Sequence, residues 1–143
     1  MSFDTLGDLN WLAVIVAAVV YYALGAVWYA RFAFGDIWMD SIGWKPDPDS
    51  GPQMSTANIV LPIVGFLVTA IALGMLAAST GTDTFAEGIV LGLVAGVGVG
   101  TMITLVTAAY DPVSPKPVTW FLVTGGYHLV GIIIASAIIG VWQ

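Results

Sequence analysis

Apolar residues run without a charged interruption through four stretches, from Leu9 to Ala30, Ile59 to Ala78, Gly88 to Ala109 and Val118 to Trp142. A helix needs about 20 apolar residues to cross a hydrocarbon layer about 30 Å thick, and each stretch meets that length. The apolar–polar alternation of a barrel wall is missing, and lipid admits only segments whose backbone groups pair internally. The pattern therefore predicts an all-α chain, an integral membrane four-helix bundle forming one domain over residues 1–143. Its helices are expected at about 9–30, 59–78, 88–109 and 118–142.

The segments between the spans carry start and stop chemistry. Ser55, Thr56 and Asn58 are suited to cap the second helix, with Pro62 tolerated in its first turn, and Thr84 with Glu87 has the spacing of a capping box opening the third. The run from Lys45 to Pro52 holds three prolines and a glycine and reads as a surface loop, while Asp111 to Pro117 reads as a stiff turn. Just after the first span, Phe34, Ile37, Trp38 and Ile42 recur at helical spacing with Asp36 and Asp40 on another side. That pattern predicts a short helix lying in the membrane interface.

Composition agrees with the spans and removes several functions. Only 8% of residues are charged, where a water-facing globule carries about a quarter, and mean hydropathy is +0.97. The absence of cysteine excludes disulfides, thiolate metal sites and cysteine nucleophiles. Three cations against nine acids give a net charge of −6, which leaves no track for nucleic acid. Arg31 and Lys45 flank the first connection and Lys116 lies in the third, so the positive-inside rule puts those connections in the cytoplasm and both termini on the non-cytoplasmic side. The acidic N-terminus lacks a basic n-region, and the first helix is expected to be retained. Trp11 with Trp28, and Trp120 with Trp142, are spaced by about 26 Å and about 33 Å along a helix, as aromatic belts at two interfaces require.

The run Gly25-Ala26-Val27-Trp28-Tyr29-Ala30-Arg31-Phe32-Ala33-Phe34-Gly35-Asp36-Ile37-Trp38-Met39 resembles the signature of a family of small bacterial membrane proteins, domain of unknown function 1761. In that family a Trp-Tyr pair ends the first helix, followed by an aromatic, a Phe-Gly step and a Trp-Met pair. The segment from Gly126-Tyr127-His128-Leu129 to Trp142 is similar to the family's closing helix. Ala30 stands where a Ser is common, and the Pro usual near Ala33 is missing. The resemblance implies four helices in the bacterial inner membrane and brings no activity.

Three sets of residues are candidates for function. Gly88, Gly92, Gly96 and Gly100 make three successive GxxxG steps, a smooth strip fit for close helix packing within the chain or at an oligomer interface. His128, the one histidine, lies near the middle of the last span, where an ionisable group must find a partner. Thr124, Tyr21, Tyr22 and Thr104 are its candidate partners, beside the adjacent Tyr127. The roles open to it are a hydrogen-bonded strut, a proton site or, less readily, a ligand. Arg31, with Trp28 and Tyr29, is placed to meet lipid headgroups. Asp36 and Asp40 are four apart, yet two carboxylates on an exposed turn ordinarily face solvent, and neither a metal nor another cofactor is expected.

Enzyme motifs are lacking, with no nucleophile elbow, phosphate loop or HExxH, and no enzyme activity is expected. Two functions remain. One is a homo-oligomer or an accessory subunit of a larger membrane complex, acting through helix packing among lipids. The other is a small transporter or channel with a polar path at His128 and the Thr101, Thr104 and Thr107 stripe, although such threonines often bond back to their own helix.

Overall fold

A computed structural model describes residues 2–45 and 55–142. The expected surface loop therefore lies, apart from Lys45, outside the described residues. A short 3-10 turn, Phe3–Gly7, precedes α1 (Trp11–Trp28), α2 (Gly35–Ser41), α3 (Thr56–Thr80), α4 (Phe85–Ala109) and α5 (Pro117–Val141). Among the described residues there are no strands. Four helices, all but α2, are long and apolar enough to cross a membrane. With α2 the α-helices among the described residues number five rather than four, the fifth being the short helix expected after the first span.

The caps explain the boundaries. Asn10 accepts the amide of Ala13 and starts α1, and Ser55 accepts the amide of Asn58 and starts α3. Because α3 begins at Thr56, Pro62 sits in its second turn instead of the first, and its ring removes the amide that would have bonded to the Asn58 carbonyl. Thr84 accepts the amide of Glu87 at 3.3 Å, and Glu87 accepts the Thr84 hydroxyl at 2.9 Å and the Asp83 amide at 3.1 Å. Gly81, at a φ of 69°, closes α3 in the left-handed conformation that a side chain would resist.

Halfway along α4 the helix loosens into a π turn over Gly96–Thr101. The sequence there, Gly-Val-Gly-Val-Gly-Thr, alternates residues with no side chain and β-branched residues, both weak helix formers.

The helices do not close into a symmetrical ring. α1, α3 and α5 pack on one another around Val14, Ala17, Tyr21, Ala70, Leu73, Ala77, Tyr127, Ala135 and Ile139, whereas α4 packs against α5 and has no more than marginal contact with α1 and α3. Half of the most apolar window of α5 is buried, against 28% for α1 and 17% for α3 and α4, so α5 is the central helix.

The first and third connections meet at one end. Ser41, fully buried, offers its carbonyl to the Ser114 hydroxyl at 2.7 Å and to the Lys116 amide at 3.3 Å, and Lys116 reaches Asp40 at 2.6 Å. Asn10 bonds the Trp142 carbonyl at the other end.

Candidate functional site: a tyrosine–histidine clasp between α1 and α5

The central feature of the interior is a reciprocal crossing of α1 and α5. Tyr21 and Gly25 are one turn apart on α1, and Tyr127 and Gly131 are one turn apart on α5. The Tyr21 ring lies over Gly131 so closely that a Cβ there would clash with its ring carbons, and Tyr127 lies over Gly25, where a Cβ would meet its hydroxyl at 3.0 Å. Each phenol also reaches a backbone carbonyl of the opposite helix. Tyr127 donates to the Tyr21 carbonyl at 3.0 Å, and the Tyr21 hydroxyl lies 3.3 Å from the His128 carbonyl. Helix carbonyls keep a second lone pair beyond their own ladder, so these contacts add to the helices without breaking them.

The imidazole completes the site. Tyr21 Oη is 2.8 Å from His128 Nδ1. Tyr21 is 2% exposed, stacked on Phe66 of α3 at 4.4 Å and tilted against Tyr127 at 5.5 Å. His128 is half-buried, with its Nδ1 edge turned into the core. Of the partners expected for it, the structure selects Tyr21 alone. Thr104, although buried, donates to the Gly100 carbonyl of its own helix at 2.8 Å, and the hydroxyl of half-buried Thr124 is turned from water beside Tyr29 without a well-formed bond.

A second aromatic layer lies next to the clasp. The Trp28 indole donates to the Val123 carbonyl at 3.1 Å and stacks against Phe34 at 4.7 Å, while Tyr29 meets Tyr127 at 5.3 Å and Trp38 at 5.4 Å. Trp28 and Tyr29, the residues expected at lipid headgroups, are half-buried at the end of α1, with part of each ring packed on protein. The cause is the end of α1 at Trp28, where the chain reverses and folds Phe34 back over the indole. Gly35 seals this reversal, since a Cβ there would strike the Tyr29 and Ala30 carbonyls. Arg31 alone of the three stays outside, 4.0 Å from Asp36. Asp36 and Asp40 thus face separate cations, and among the described residues no group of acids and histidine is arranged to hold a metal.

The glycine strip faces α5. A Cβ at Gly88 would meet the Ser136 carbonyl at 2.6 Å, one at Gly92 the Ile133 Cα at 2.6 Å, one at Gly96 the Leu129 side chain at 2.9 Å and one at Gly100 the Ile132 side chain at 2.8 Å. Within the chain, all four glycines of the strip thus lie against α5.

Tyr21 was foreseen only as one possible partner, and Phe66, Gly25 and the Ser41–Ser114 tie were not foreseen. The signal for the clasp was present as Tyr-x-x-x-Gly, which occurs at 21–25 and, offset by one residue from His128, as Tyr127 with Gly131 four positions on.

Fold and site together define a helical protein with four membrane-span-like helices among the described residues, two of which are tied by Tyr21, Tyr127 and His128. A family model described as a protein of unknown function (DUF1761) matches residues 12–140. The chain belongs to that family. No curated protein and no solved structure matches it.

Proposed function

We propose that the protein is a non-enzymatic component of the bacterial inner membrane that works by helix association, as a homo-oligomer or as an accessory subunit of a larger membrane complex. The observation that carries this reading is the open bundle. Helices of a closed four-helix bundle each pack between two neighbours, whereas α4 has one. Between α4 and α1 a groove of about 360 Å³ runs over α5, lined by Val16, Phe85, Ile89, Ile134, Ile138 and Trp142. A further helix inserted there would give α4 its second neighbour.

The three cations all belong to the first and third connections, which share one end of the molecule. By the positive-inside rule that end is cytoplasmic and both termini are outside. The transporter reading is weaker, because Thr104 and Thr107 donate to the carbonyls of their own helix and Tyr21 occupies the inner edge of His128.

The chain has no cysteine, so single substitutions such as Ile89→Cys and Ile134→Cys report unambiguously. Association predicts a disulfide-linked pair, or a cross-link to a distinct subunit of fixed stoichiometry, in native membranes. Native mass spectrometry should give the matching mass. A monomer carrying only lipid, with no cross-link at either position, overturns the reading.

A further inference from the structure

We propose that Tyr21 and His128 form a single-proton binding site inside the membrane-span-like core, in which the phenol serves the imidazole in both of its ionisation states. The proposal stands on geometry independent of the association reading. One hydroxyl, Tyr21 Oη, lies within reach of two acceptors, His128 Nδ1 at 2.8 Å and the His128 carbonyl at 3.3 Å. In the neutral state of the proposed site the phenol hydrogen is donated to Nδ1 and the imidazole proton sits on Nε2, an assignment that the 2.8 Å separation permits and the ring-nitrogen signals decide.

Uptake of one proton converts Nδ1 into a donor. The phenol oxygen then accepts from Nδ1–H, and the phenol hydrogen turns to the His128 carbonyl. The imidazole gains one proton and one positive charge, no other covalent bond changes, and Nδ1 keeps a partner throughout. The cationic bond is charge-assisted and about twice as strong as the neutral one, which offsets part of the cost of holding a charge away from water.

The surroundings leave this pair as the titrating unit. α1 contributes Tyr21 and Tyr22, with Tyr29 just beyond its end, and α5 contributes Tyr127, whose hydroxyl is committed to the Tyr21 carbonyl. α3 carries no titratable residue. α4 carries only Glu87, in its first turn opposite Gly140, about 18 Å along α5 from His128. Arg31, Asp36, Asp40 and Lys116 lie at the end of the molecule and pair with one another. Among the described residues no carboxylate is therefore available inside to serve as an alternative counter-charge.

The single histidine makes the test direct. Protein labelled with 15N-histidine and placed in lipid bilayers gives one pair of ring-nitrogen signals, followed over a pH series. The wild type should show Nδ1 unprotonated in the neutral form and a single titration step. Tyr21→Phe, which keeps the stacked ring, should move the midpoint by about one pH unit and raise the share of the Nδ1–H tautomer. An unchanged midpoint and tautomer in Tyr21→Phe overturns the proposal. Should that variant fail to assemble, the wild type decides: a neutral form carrying its proton on Nδ1, or no titration step in the folded protein, overturns it equally. Neither result depends on the number of subunits.

Discussion

Replacing Gly92 by alanine adds a single methyl group to the α4–α5 seam, and the structure specifies what that methyl meets. Its Cβ would lie 2.6 Å from the Ile133 Cα and 3.2 Å from the Ser136 side chain, where ordinary contact begins near 3.4 Å. A backbone atom cannot rotate aside, so the two helix axes must part by close to 0.8 Å along a seam that Gly88 and Gly96 also hold tight. Overpacking of this kind costs typically 1–3 kcal/mol. The gain from replacing glycine by alanine inside a helix, about 0.5–1 kcal/mol, offsets only part of it, leaving a net loss near 1 kcal/mol. Gly65→Ala is the matched control, because a Cβ there meets nothing within 4 Å and only the helix gain remains. Thermal unfolding followed by circular dichroism in a fixed detergent should therefore lower Tm for Gly92→Ala and hold or raise it for Gly65→Ala. Equal midpoints for the two variants would refute the close seam. A change of oligomeric state in Gly92→Ala with unchanged unfolding of the protomer would move the strip to a subunit interface.

The same reasoning fixes other outcomes. Gly131→Ala should cost about 3 kcal/mol, because the Tyr21 ring beneath it is enclosed by Phe66 and Tyr127. It should also disturb the His128 ring-nitrogen signals, and wild-type stability would contradict the clasp. Thr84→Ala removes the hydroxyl that accepts the Glu87 amide and should cost about 1 kcal/mol, read in the same unfolding assay. Asp40→Asn breaks an ion pair whose side chains are 65% and 54% exposed, and should change stability by less than about 1 kcal/mol, with that difference vanishing at high salt.

The spans were legible because lipid imposes one rule on all of them, uninterrupted apolar length, and their observed limits fall within a few residues of the expected ones. The capping box at Thr84 and Glu87 was equally readable, being local chemistry. Which helix lies at the centre was not readable from hydropathy, since all four are apolar on every side and lipid and protein interior select the same residues. The π turn in α4 and the packing of Trp28 were hidden as well. Glycine and valine weaken a helix without saying how it will loosen, and a tryptophan at a span's end has the same sequence signature whether it anchors to headgroups or packs on a returning Phe34.

Small residues nevertheless mark α5 as the helix the others gather on, through their distribution around its circumference. Ser136 and Gly140 face α4, Gly131 receives the Tyr21 ring and Gly126 lies beneath the Trp28 indole. Ala135 and Ile139 enter the core shared with α3. A helix smooth on one side dimerises, whereas one smooth on several sides can take several neighbours at close range, where dispersion and carbonyl contacts replace the missing hydrophobic drive between helices in lipid. The α1–α5 crossing adds two phenols donating across the gap to this close approach, and so fixes register as well as distance. A shift of α1 by one turn would take Tyr21 off Gly131 and Tyr127 off Gly25 together. The histidine is held at the one place in the molecule where that register is set, which is why a proton bound there bears on the position of α1 against α5.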